Sequence, residues 1–140
     1  MIFRNSLMAG WVLLAGCQVR HGPQTLHWPA EAGEKLWGPH DKVMVLSCIR
    51  CGCFMSELPR AWRQDSTYFR QLWLVADTGC TRLPFLNGHV SQKELDGLSD
   101  ELYNLVLIKR EGNQYTGRII ETRESGEIRS ICRRFFDTGK

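Results

Sequence analysis

Three short, unbroken apolar runs constrain this chain more than any other feature. They are Val43-Met44-Val45-Leu46, with Ser47 directly after it, Leu72-Trp73-Leu74-Val75-Ala76 and Leu105-Val106-Leu107-Ile108. A strand with one face in water alternates apolar and polar residues. A strand covered on both faces does not, and these runs show no alternation. They predict a sheet buried on both sides.

The intervening segments carry helical patterns. Met55, Leu58, Trp62 and Phe69 fall near one helical face, with Ser56 as a cap and Pro59 in the first turn, where a missing N–H costs nothing. Two buried strands joined by a helix form a βαβ unit with parallel strands. Ser91-Gln92-Lys93-Glu94 fits a capping box and predicts a short helix, with Ser99 to Tyr103 as a further turn. Lys109 to Gln114 is turn chemistry, and Tyr115 to Thr122 returns as a strand, so an antiparallel hairpin is expected. Ser125 opens a final helix whose Ile128, Ile131, Cys132, Phe135 and Phe136 make one buried stripe, and Gly139 ends it. The order is β-α-β, a short helix, then β-β-α. That is an α/β class with three layers and a mixed central sheet.

The N-terminus reads differently. Arg4 precedes an apolar stretch, Leu7 to Leu14, which runs into Leu14-Ala15-Gly16-Cys17. A cation, an apolar middle and small residues at the end make a secretory signal. The stretch is shorter than the ~20 residues that a membrane-spanning helix needs. With its cysteine, the tetrapeptide resembles the lipobox of bacterial lipoproteins. The resemblance implies that residues 1–16 are removed, that Cys17 carries lipid, that 17–41 form the lipidated N-terminus and tether, and that 42–140 form the domain. It also implies a position in the bacterial cell envelope, facing outside the cytoplasm. Gln18 stands where some lipoproteins carry an aspartate for inner-membrane retention, which points to the outer membrane. An ordinary secretory signal, or an uncleaved anchor, with an incidental cysteine is the alternative. Gly22, Pro23, Pro29, Gly33, Gly38 and Pro39 suit an irregular lead-in. Leu26, Trp28, Leu36 and Trp37 are expected to pack on the domain as a short edge strand, and His21, His27 and His40 to lie on the surface.

Apolar content of 43% and charged content of 24% fit a globular domain. A formal charge of +3 is too small to imply a nucleic-acid partner. Outside the cytosol, disulfides form and persist. Six cysteines are present. With Cys17 given to lipid, five remain, so at least one thiol is unpaired.

The densest group is Cys48-Ile49-Arg50-Cys51-Gly52-Cys53, between the first apolar run and the first helical pattern. Thiolate, not thiol, attacks disulfides. A helix N-terminus favours an anion, and Arg50 adds a cation. Cys48 is therefore the expected nucleophile and Cys51 the resolving thiol, with Cys53 as the alternative resolver. Cys80 follows the second apolar run, at the same expected sheet edge, as an accessory thiol. Cys132 reads as a buried structural thiol. Asp77 and Glu57 read as a strand-end residue and a first-turn helix charge, with proton acceptance near the thiols as the other reading.

This order of elements, with Cys48-Ile49-Arg50-Cys51 where the first strand enters its helix, resembles the thioredoxin fold over roughly residues 42–137. The resemblance implies thiol–disulfide exchange without a prosthetic group. It implies exported protein thiols or disulfides as substrates and a membrane redox partner. Ser47 stands where the family usually has an aromatic residue, and Glu101 to Leu105 lacks the family's proline before the third strand. Pro59 is offset from the family's helical proline, which leaves Cys51 and Cys53 both open as resolver. Two other readings stand beside it. One is a lipoprotein binding copper or zinc through Cys48, Cys51, Cys53, Cys80 and His89, because soft thiolates select such ions. The other is a non-catalytic interaction module.

Overall fold

The computed structural model describes residues 25–47, 54–77, 83, 85–99, 102 and 105–137. Among these residues six strands form one sheet: β1 (Thr25–Pro29), β2 (Lys42–Leu46), β3 (Trp73–Asp77), β4 (Gly88–Val90), β5 (Leu105–Glu111) and β6 (Gln114–Ile120). Their spatial order is β1-β6-β5-β2-β3-β4. β2, β3 and β4 are mutually parallel, whereas β5 is antiparallel to β2, β6 to β5 and β1 to β6. The middle strands β6-β5-β2-β3 give the βαβ-then-ββα arrangement of a thioredoxin-like fold, in a mixed sheet as expected.

Among the described residues five helices cover the sheet: α1 (Ala30–Trp37), α2 (Phe54–Gln64), α3 (Ser66–Phe69), α4 (Gln92–Asp96) and α5 (Ile128–Asp137). Strand geometry sends successive side chains to opposite faces. Met44, Leu46, Leu74, Leu105 and Leu107 meet Leu58 of α2, Phe69 of α3 and Ile131 of α5. Val43, Val45, Val75, Val106 and Ile108 meet Trp37 of α1 and Leu95 of α4. This two-sided burial is the reason the central strands show no polar alternation. Each fully buried aliphatic side chain contributes about 1.5–3 kcal/mol.

Several elements differ from the sequence reading. The lead-in is regular from Thr25 onward, so the fold begins well before residue 42. Trp28 lies on the edge strand as expected, but Leu36 and Trp37 belong to α1. The proline and glycines that suggest a tether have other uses. Pro29 precedes the first turn of α1, and Gly38, at φ 80°, ends that helix with its N–H on Glu34 O at 2.9 Å. Gly33 is small because a Cβ there would lie 2.5 Å from the Trp37 ring and 2.6 Å from the Tyr115 ring.

Pro59 lies inside α2 rather than in its first turn, because the helix is already formed at Phe54. Phe69 sits on the separate α3 and still reaches the same core. β5 and β6 extend to Glu111 and from Gln114, which leaves only Gly112 and Asn113 as the turn. Gly112 has φ 67°, the left-handed conformation that a two-residue hairpin with glycine first requires. Ser125 lies in a 3-10 turn, Thr122–Glu127, that precedes α5. The capping box at α4 is present as expected: Ser91 Oγ accepts from Glu94 N at 3.1 Å, and Ser91 N donates to Glu94 Oε1 at 3.1 Å.

Candidate functional site

The parallel strands β2 and β3 end side by side. Leu46 pairs with Ala76, so Ser47 and Asp77 stand next to each other one position beyond. Ser47 Oγ donates to Asp77 Oδ2 at 3.1 Å, and the two residues are 0% and 1% exposed. A buried carboxylate is costly unless hydrogen-bonded, and the Ser47 hydroxyl supplies one such bond. Asp77 has a further interaction besides. The pair closes the C-terminal edge of the sheet, the edge where open α/β sheets place their ligands and reactive groups.

The thiols expected at this edge, Cys48, Cys51, Cys53 and Cys80, lie outside the described residues, as does Cys17. What is described is the frame from which those segments depart. Ser47 directly precedes Cys48, and Asp77 stands three residues before Cys80. The frame gives Asp77 a more specific place than a strand-end turn residue, because its carboxylate is enclosed beside the neighbouring strand. Glu57 is half-buried on α2 and lies 3.6 Å from Arg60, an ordinary helix-surface pairing. The sequence reading noticed Ser47 only as a departure from an aromatic residue. The available signal was that a polar residue directly follows each of two apolar runs, Ser47 after Leu46 and Asp77 after Ala76, and the parallel register brings the two together.

His89, a member of the alternative metal set, is exposed on β4 and pairs in register with Ala76. Among the described residues no three His, Cys, Asp or Glu side chains converge as a metal site. Cys132 is buried and free on α5, as expected. Burial pushes its thiol from the usual 9.0 up to about 12, with Asp137 adding to the rise and Arg118 opposing it. Such a thiol is protonated and inert at neutral pH.

Two other concavities lie away from this edge. One, of about 490 Å³, is lined by His27, Trp28, Pro29, Glu111, Asn113 and Gln114. Beside it Thr116 Oγ1 donates to Glu111 Oε1 at 2.6 Å and lies 3.5 Å from His27 Nδ1. The other, of about 310 Å³, includes His40, Lys42, Arg70 and Trp73 at the opposite edge of the sheet. There the His40 and Trp73 rings stack at 3.7 Å and 12°. Among the described residues no helix is long and apolar enough to cross a membrane. Comparison of the chain with family models, curated proteins and solved structures returns no match.

Proposed function

We propose that the chain is a membrane-tethered thiol–disulfide oxidoreductase of the bacterial cell envelope, held by lipid on Cys17 and acting through Cys48. The observation that supports it most is the Ser47–Asp77 bond, which joins the ends of two adjacent parallel strands immediately before the two cysteine-bearing segments. The spacing of Cys48, Cys51 and Cys53 supplies the thiols, and the start of α2 follows them.

In this reading the Cys48 thiolate attacks a disulfide of an exported protein. The substrate S–S bond breaks, one substrate sulfur leaves as a thiolate, and a mixed disulfide forms. Cys51 or Cys53 then gives up its proton and attacks the Cys48 sulfur. This releases the second substrate thiolate and leaves the enzyme disulfide. Two electrons pass to the substrate, and a dithiol on a membrane partner returns them. With the potentials reversed, the steps run backward: a substrate dithiol attacks the enzyme disulfide and leaves as a disulfide, and the enzyme keeps the two electrons. Asp77, buried and hydrogen-bonded, is the carboxylate assigned to accept the resolving thiol's proton.

The test is turnover of a protein disulfide with a small dithiol as electron source. The intact chain is expected to accelerate it and Cys48→Ser to abolish the acceleration. Full activity in Cys48→Ser contradicts the assignment. Stoichiometric zinc or copper in the reduced protein, with no turnover, favours the metal-binding reading instead.

A further inference from the structure

The edge of the sheet where β2 and β3 begin carries a second arrangement, remote from the Ser47–Asp77 pair. Val43 pairs with Trp73, so the segments that lead into these two parallel strands lie side by side. Backbone bonds hold both segments. In the first, His40 N donates to Gly38 O at 2.8 Å, and Asp41 O accepts from Arg110 N at 2.9 Å. His40 O also accepts from the hydroxyl of the fully buried Tyr115 at 2.8 Å, which ties this segment to the core. In the second, Arg70 N donates to Ser66 O at 2.9 Å and Leu72 N to Phe69 O at 3.1 Å. Walls fixed in this way bind without first having to be ordered.

Between them lies the concavity of about 310 Å³ bounded by His40, Lys42, Arg70 and Trp73. A water molecule takes about 30 Å³ of liquid, so the space admits an ion of several heavy atoms. The His40 ring lies flat on Trp73, with centroids 3.7 Å apart and planes 12° apart. Stacking uses a face of the imidazole and leaves the nitrogens on its edge able to bond.

The charges here are poorly compensated. Lys42 Nζ is 3.9 Å from Asp137 Oδ1, and the two side chains are 40% and 43% exposed, a pairing of little worth. Among the described residues the Arg70 guanidinium and the His40 ring nitrogens have no hydrogen bond or ion pair. The helix before Arg70, α3, is a single turn, too short for its dipole to account for a cation there. Asp41 is the carboxylate on the wall, and its charge acts on Arg110.

We infer that this concavity binds a phosphate monoester group through Arg70 and Lys42, with a His40 ring N–H as a third donor. Charge selects the class. A carboxylate brings one negative charge, whereas a phosphate monoester brings nearly two at neutral pH, which matches the two cations. The guanidinium fork fits two oxygens of a phosphate at once. The half-buried Trp73 gives the wall an apolar part for the organic half of the ester. No thiol takes part, so this site and the oxidoreductase reading stand or fall separately.

The test is a titration of the nitrogen-15-labelled full chain with inorganic phosphate at constant ionic strength. The amide signals of His40, Asp41 and Gln71 and the indole signal of Trp73 are expected to shift together and to saturate. Acetate is expected to bind severalfold more weakly. Arg70→Ala, at an exposed position, should keep the rest of the spectrum and weaken phosphate binding by about tenfold or more. Arg70→Lys keeps the charge without the fork and should fall between. Arg63→Ala removes an exposed arginine of α2 outside the concavity and should change nothing. Absence of any shift overturns the inference. So do shifts that follow ionic strength alone, that acetate reproduces at equal affinity, or that survive Arg70→Ala.

Two esters then separate the sources of the group. Glycerol 3-phosphate carries it without acyl chains and dihexanoyl phosphatidic acid with them. Equal, Arg70-dependent affinities support a soluble ester as ligand. Severalfold tighter, Arg70-dependent binding of the second supports a lipid headgroup. Binding of inorganic phosphate with neither ester marks an adventitious ion only and overturns the monoester assignment.

Discussion

Ser47 and Asp77 meet between the ends of two parallel strands, hydroxyl to carboxylate at 3.1 Å, with both side chains closed off from water. Asp77→Ala leaves the Ser47 hydroxyl buried without this acceptor, which costs about 1–3 kcal/mol. Asp77→Asn keeps an acceptor oxygen and the shape, so its loss in urea unfolding is expected to be the smaller of the two. If Asp77 also takes the resolving thiol's proton, Asp77→Asn slows release of the mixed disulfide by more than its stability change explains. An Asp77→Asn protein that resolves the mixed disulfide at the parent rate excludes that role.

Two glycines are held by ring contacts rather than by backbone need. A Cβ at Gly117 would lie 2.9 Å from the Trp28 ring. A Cβ at Gly33 would lie 2.5 Å from the Trp37 ring and 2.6 Å from the Tyr115 ring. Alanine at position 33 gains about 1 kcal/mol of helix propensity, against about 1–3 kcal/mol for overpacking a dense core. Gly33→Ala and Gly117→Ala are both expected to lower the urea midpoint, and to perturb the tryptophan fluorescence of α1 and β1 respectively. An unchanged or raised midpoint contradicts the packing described.

Cys132 makes the fold sensitive to alkali. Burial raises its thiol from 9.0 to about 12 in the native state. The folded chain therefore holds this proton over a range in which the unfolded chain releases it. Stability from this group is complete below pH 9 and falls as pH climbs toward 12. Tyr68, also raised by burial first and by Asp137 next, adds to the loss above pH 10. Cys132→Ala is expected to be less stable than the parent at pH 7 and to lose less on going to pH 10. Equal alkaline losses in the two proteins contradict the burial argument. Rapid alkylation of Cys132 in the native state contradicts it as well.

The central strands were legible because burial on both faces leaves a direct mark: Val43 to Leu46 faces α1 on one side and α2 on the other, and neither side admits a polar residue. The capping box at Ser91 was legible because its two hydrogen bonds need only local spacing. An edge strand near Trp28 was expected, but α1 and the start of the fold at Thr25 were hidden for the opposite reason. Prolines and glycines there mimic a linker, yet Pro29 sits on an edge strand, where proline is tolerated, and Gly33 answers to rings from α1 itself and from β6. Nothing local to residues 25–37 encodes Tyr115. The Ser47–Asp77 contact was half legible. Each residue marks the end of an apolar run, but only strand register brings residues 30 positions apart into one bond.

The proposed oxidoreductase activity requires Cys48, next to Ser47 in sequence, to form a reversible disulfide. The most direct measurement equilibrates the purified chain across a series of reduced-to-oxidised glutathione ratios, quenches it with acid, alkylates the free thiols and maps the masses of the peptides. The account predicts a single two-electron transition joining Cys48 to Cys51 or Cys53, with Cys132 reduced throughout. A Cys48 that stays reduced, or stays bridged, at every ratio contradicts it.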